Sequence, residues 1–142
     1  MASARVLIAD DHAIVRERLV TLLENEFDVV GAVADGKVLI ETAVRLKPDV
    51  VVVDLSMPGL TAFEALRQLK AARLDAKVIV FTMYAEAGIV TEALRLGASG
   101  FVLKLSAGDE LVIAINEVME GRIFLTPSLR EEVNPSSESQ SG

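Results

Sequence analysis

The chain has 142 residues, no cysteine and 51% apolar residues, and its 14 basic and 21 acidic side chains leave a formal charge of −7. A chain of this length builds one domain burying roughly 70% of its unfolded surface, without help from disulfides or a structural metal. The lack of cysteine excludes a disulfide scaffold, a thiolate zinc site and a cysteine nucleophile; the single histidine argues against a histidine-based metal site, and the acidic balance argues against this chain gripping nucleic acid or anionic lipid by itself.

Taken in chain order, five β-rich runs alternate with helical patterns. Val6 to Ala9 is the first run, and a stripe at Val15, Leu19 and Leu22 predicts the first helix. Val29 to Ala34 is the second run, followed by a stripe at Ile40, Ala43 and Val44 and closed by Pro48. Val50 to Val53 is the third, followed by Ala62, Leu66 and Leu69, with Thr61 and Glu64 at capping-box spacing. Val78 to Phe81 is the fourth, followed by Val90, Ala93 and Leu94, with Gly97 placed to end that helix in a left-handed cap. Phe101 to Leu103 is the fifth, followed by Leu111, Ile115 and Val118, with Ser106 and Asp109 at capping-box spacing. Nearly continuous apolar strands suit a parallel sheet covered on both faces. The expectation is a doubly wound α/β fold with five parallel strands in the order 2-1-3-4-5 and five helices.

The folded domain is expected over residues 1–125, with residues 126–142 as a C-terminal extension and the start of an interdomain linker; the last nine residues, NPSSESQSG, have no large apolar side chain and read as a flexible tail. The N-terminus lacks the pattern of a signal peptide, and no apolar run approaches the ~20 residues of a membrane span. A cytoplasmic protein with no membrane partner is the expectation.

In open α/β sheets, chemistry gathers at the carboxyl ends of the strands. Those ends carry Asp10 and Asp11 after the first strand, Asp54 after the third, Thr82 after the fourth and Lys104 after the fifth. Strands 1, 3, 4 and 5 are neighbours in the expected order, so these residues form one cluster. Three carboxylates and one ammonium leave about −2 in a single depression, which calls for a hard divalent cation with oxygen ligands; Mg²⁺ is the abundant choice. A metal-bound carboxylate beside an ammonium and a hydroxyl is equipment for phosphoryl transfer to an aspartate, with Asp54 as the nucleophile. Each residue alone has an ordinary explanation. Asp10 or Asp11 can cap a helix, Asp54 can form the turn before Pro58-Gly59, Thr82 can sit in a loop, and Lys104 can be a solvated strand end. His12 reads as an exposed residue at a helix start and is assigned no chemistry.

At these residues the chain resembles the receiver domain of bacterial two-component response regulators, over residues 5 to about 124. Asp10-Asp11, Asp54 followed by Met57-Pro58-Gly59, Thr82, and Phe101 three residues before Lys104 stand in that family's order. The stretches IADDHAIVRERL and GRIFLTPSL further resemble its LuxR-type (NarL/FixJ-like) subgroup. The resemblance implies that Asp54 accepts a phosphoryl group from a sensor histidine kinase or a small phosphodonor. It implies that Asp10, Asp11, Asp54 and the Ser56 carbonyl hold Mg²⁺, that Lys104 and Thr82 contact the phosphoryl oxygens, and that Thr82 and Phe101 form the switch. It further implies that the chain phosphorylates itself without turning over an external metabolite, that it dimerises on phosphorylation, and that DNA is bound through a C-terminal helix-turn-helix domain outside this sequence.

There are departures from the family pattern. Leu105 follows Lys104 where many receivers have proline, and a non-proline cis bond there would cost about 2.5–4 kcal/mol. Ser56 and Tyr84 occupy positions that in this family modulate the lifetime of the phosphoryl group. Two other functions compete. An aspartyl phosphatase commonly needs a second acid two residues after the nucleophile, where this chain has Ser56. A stand-alone or phosphorylation-independent interaction module would keep the fold and use only its helical face.

Overall fold

A computed structural model describes residues 3–55, 57–83 and 86–130, apart from the side chains of Ser106, Ala107 and Asp109. Its elements run β1 (Arg5–Ala9), α1 (Ala13–Glu24), β2 (Asp28–Val33), α2 (Gly36–Leu46), β3 (Val50–Asp54), α3 (Ala62–Ala71), β4 (Lys77–Thr82), α4 (Ala87–Arg95), β5 (Gly100–Leu103), a 3-10 turn (Lys104–Ser106), α5 (Ala107–Met119) and β6 (Phe124–Leu125). The sheet order is β2-β1-β3-β4-β5-β6, and all its pairings are parallel.

The expected order of the first five strands holds, but among the described residues the sheet has six strands, and a 3-10 turn is added to the five expected helices. The sixth strand comes from the stretch GRIFLTPSL. It is two residues long and is defined by pairing Gly100 with Phe124 and Phe101 with Leu125. A run that short has no readable period, so only its partner strand makes it a strand. Beyond it, Leu129 and Thr126 are still buried.

Alternation along each strand divides the core in two. Leu7, Val51, Val53, Val80 and Phe101 face α2, α3 and α4, where they meet Leu39, Ala43, Leu66, Leu69 and Val90. Val6, Ile8, Val50, Val52, Ile79 and Val102 face α1 and α5, where they meet Leu19, Leu23, Leu111, Ile115 and Val118. Every residue of β3 is buried, as suits a central strand covered on both faces. The helix stripes hold for α3 and α5, but two are turned by one residue. Leu23 rather than Leu22 is buried in α1, and Leu39 is buried while Val44 is exposed in α2. Where apolar residues are adjacent, the period admits either phase and docking on the sheet selects one.

Two of the three expected caps fall where the sequence places them. Thr61 and Glu64 form a complete capping box on α3, and Gly97 adopts φ +106° past the end of α4. The Ser106–Asp109 pair lies outside the described side chains. Among the described residues no peptide bond is cis, so Lys104–Leu105 is trans. No described helix is long and apolar enough to cross a membrane.

Gly36, at the start of α2, supports the loop that follows Asp54. Its N–H donates to the Pro58 carbonyl at 3.3 Å, and a β-carbon there would lie 2.1 Å from Leu60 Cβ and 3.0 Å from Leu60 Cα. Gly36→Ala is expected to cost about 1–3 kcal/mol by overpacking this approach, measured by urea unfolding. An unchanged midpoint would show that the loop yields freely.

Candidate functional site

Because the strands are parallel, their carboxyl ends share one edge. Asp54 and Thr82 are the last residues of β3 and β4, Asp10 directly follows β1, and Lys104 directly follows β5. Asp10 is fully buried, and Asp54 and Thr82 are buried. Thr82 pairs in register with Leu103, which sets it beside the residue preceding Lys104.

Asp10 is held by its backbone as much as by its side chain. Its N–H donates to the Val33 carbonyl at 3.0 Å, and its carbonyl accepts from the Arg16 guanidinium at 2.7 Å. Carboxylate Oδ1 accepts the His12 backbone N–H at 2.8 Å, closing a local turn into α1. The remaining oxygen, Oδ2, lies 2.9 Å from Lys104 Nζ. That contact makes the ammonium the partner of this otherwise enclosed oxygen.

Lys104 bridges two acids. Its Nζ donates to Asp54 Oδ2 at 3.2 Å and stands 5.4 Å from the centre of the Phe81 ring. Burial acts to lower the pKa of this ammonium, but Asp10 and Asp54 outweigh burial and hold it above the ordinary lysine value. The lysine therefore stays charged in its nearly closed setting.

Asp11 and His12 form the outer rim. The His12 ring is mostly exposed, and its Nδ1 lies 3.2 Å from Asp11 Oδ1 and 3.3 Å from Asp10 Oδ1. His12 is the N-cap residue of α1, as its exposed helix-start reading suggests, but its side chain makes no capping hydrogen bond. Instead it faces the two acids. Asp10, Asp11, His12 and Asp54 each offer an atom within 4.8 Å of the others. The donors fit a hard cation. Three carboxylates supply oxygen, one of them, Asp10, fully buried. Asp11→Asn removes one negative charge from this cluster without touching Lys104. It is expected to raise stability in chelator by about 0.5–1 kcal/mol while weakening the stabilisation conferred by Mg²⁺. Thermal unfolding with and without Mg²⁺ checks both signs, and a loss of stability in chelator would refute the repulsion.

The structure thus brings together Asp10, Asp11, Asp54 and Lys104, with Thr82 on the adjoining strand end. Phe101 is fully buried in β5, its ring in the core shared with α4. Ser56 and Tyr84 lie outside the described residues. Two contributors have no signal in the sequence. Arg16 reaches back from α1 to the Asp10 carbonyl, and Phe81 lies beneath the ammonium. Both read as ordinary helix and strand residues until the chain is folded.

Comparison with known proteins agrees with this architecture. A profile for the response regulator receiver domain matches residues 6–116. The transcriptional regulatory protein YdfI of Bacillus subtilis is 35% identical over 127 residues, 88% of this chain and 59% of that protein. The chain therefore spans about three-fifths of the length of that curated relative. The crystal structure of a LuxR-family two-component response regulator from Aurantimonas sp. superposes with a TM-score of 0.90 at 34% identity, covering 99% of this chain and 100% of the other. The isolated REC domain of RcsB from Salmonella enterica serovar Typhimurium, solved with the phosphomimetic BeF3-, gives 0.84 at 31% identity, covering 92% of this chain and 99% of the other. With its α/β flavodoxin-like sheet and this match across most of its length, the chain belongs to the response regulator receiver domain family.

Proposed function

We propose that this chain is a phosphoacceptor switch in which Asp54 takes a phosphoryl group from a sensor histidine kinase. The observation that carries the reading is the meeting of Asp10, Asp54 and Lys104 at one sheet edge, with the ammonium 2.9 Å and 3.2 Å from the two carboxylates. An Asp54 carboxylate oxygen forms a bond to phosphorus as the donor's P–N or P–O bond breaks and its electron pair leaves with the donor. The product is an aspartyl phosphate, later hydrolysed by water. Asp10, Asp11 and Asp54 would hold Mg²⁺, with the Ser56 carbonyl as a further ligand. Bound there, Mg²⁺ supplies the positive charge that offsets the carboxylates and the incoming phosphoryl oxygens.

The chain's own residues do the rest. Lys104, already charged and held at Asp54, moves its hydrogen bond to a phosphoryl oxygen. The Thr82 hydroxyl donates to another, and the accompanying shift of the Thr82 side chain is coupled to the Phe101 ring. Such a site modifies itself and has no external metabolite to turn over, so the chain is a switch rather than a turnover enzyme. As part of a longer cytoplasmic regulator, it controls transcription through a DNA-binding helix-turn-helix domain and dimerises when phosphorylated. The names of YdfI and of the LuxR-family neighbour support that output.

The test is incubation with acetyl phosphate and Mg²⁺ followed by intact mass, and light scattering with beryllofluoride. A phosphoryl adduct and an increase in mass on beryllofluoride are expected. No adduct would overturn the acceptor role, and an unchanged oligomeric state would overturn the dimer.

A further inference from the structure

The sixth strand does more than lengthen the sheet. Thr126, the residue after β6, is 2% exposed, and its side chain uses both of its hydrogen-bonding functions over long sequence distances. Its Oγ1 accepts the Leu103 backbone N–H at 3.0 Å and donates to Glu110 Oε1 at 2.7 Å. Leu103 is the last residue of β5 and Glu110 lies in the first turns of α5, so the two bonds clamp both ends of the segment that carries Lys104.

The need for a side chain here follows from the backbone. The ladder between β5 and β6 continues as Thr126 N–H donates to the Phe101 carbonyl. Pro127 then turns the chain into a helical turn, and the Thr126 carbonyl accepts the Leu129 N–H at 2.8 Å. That carbonyl is thus engaged within the turn. The hydroxyl takes its place for Leu103, which would otherwise lose its partner on the β6 side. A carboxylate at Glu110 accepts only, so the Thr126 hydroxyl donates its hydrogen bond there and its Oγ1 lone pairs are left to accept from Leu103.

We propose that Thr126, oriented by Glu110, is a positioning residue that sets the height of Lys104 against Asp10 and Asp54. This rests on the phosphoacceptor function proposed above and adds to it a residue from the C-terminal extension. Lys104 directly follows the N–H that Thr126 holds. A looser β5 end lets the ammonium move from its contacts of 2.9 Å and 3.2 Å while the carboxylates stay in place.

The experiment compares Thr126→Val, which keeps the shape and loses the hydroxyl, with Thr126→Ser, which keeps the hydroxyl. Both are prepared in the full chain. The first readout is the initial rate of phosphorylation by acetyl phosphate with Mg²⁺. The second is the rate at which an amine-acylating reagent labels Lys104, followed by peptide mass spectrometry. Thr126→Val is expected to phosphorylate about three- to tenfold more slowly and to expose Lys104 to acylation, with Thr126→Ser within about twofold of wild type in both. Wild-type values for a folded Thr126→Val, or equal losses in both variants, would overturn the proposal. Should Thr126→Val fail to fold, Glu110→Ala decides: faster acylation of Lys104 supports the brace, and an unchanged rate overturns it. Acylation uses no phosphoryl chemistry. If wild type takes no phosphoryl group, the switch reading fails while the acylation comparison still judges the brace.

Discussion

Asp54→Asn will take up no phosphoryl group from acetyl phosphate and Mg²⁺, a fall in rate of about a thousandfold or more. The amide keeps the shape of the buried β3 end but has no anionic oxygen to attack phosphorus. The rest of the site survives the change, since Lys104 keeps its 2.9 Å contact with Asp10 and Asp10 keeps its backbone anchors. Loss of the adduct would therefore report the missing nucleophile rather than a collapsed pocket, and unchanged circular dichroism would confirm that. Intact mass is the measurement. Equal labelling of wild type and variant would place the acceptor elsewhere.

Lys104→Met carries the second large effect, because it separates the charge of this side chain from its length. Asp10 and Asp54 would be left buried without their ammonium. Removing one partner of a buried pair costs far more than the pair contributes net, so a loss of about 2–4 kcal/mol is expected in chelator. Added Mg²⁺ should return part of it, since a cation binding only the folded state stabilises by mass action. Urea unfolding with and without Mg²⁺ measures both. Phosphorylation should slow by roughly a hundredfold, because the charge that stabilises the transferring oxygens is gone.

The pH dependence of that difference follows from the direction of the lysine shift. Lys104 is raised in the folded chain, so its stabilisation is fully present below the unfolded lysine pKa of about 10.4 and is lost as pH rises through the higher folded value. The stability gap between wild type and Lys104→Met should stay constant through neutral pH and close only in strongly alkaline solution. A gap that closed near pH 8 would mean that the ammonium is not held by the two acids.

Much of this site was legible in the sequence because parallel β-α-β units leave few choices. Once Val6–Ala9, Val50–Val53, Val78–Phe81 and Phe101–Leu103 are strands joined by helices, right-handed crossovers put Asp10, Asp54, Thr82 and Lys104 at one edge. The polar residues that end those apolar runs then identify the depression. Arg16 and Phe81 escaped, since nothing in a helix or strand pattern says which backbone carbonyl or ammonium a side chain will meet. The same holds for Leu22 against Leu23 and for the phase of α2.

The alternation of five strands with helices and the chemical character of the strand ends can be read from the residues alone, because they depend on local periodicity, while the order of those strands was an expectation from a common doubly wound arrangement that the fold bears out. The sixth strand, the burial of Leu23 and Leu39, the 2.9 Å approach of Lys104 to Asp10 and the brace from Thr126 to Leu103 and Glu110 emerge only from the folded chain. Each of these is a contact between residues far apart in the chain. Its free energy exists only when both partners are already in place, so no local pattern records it.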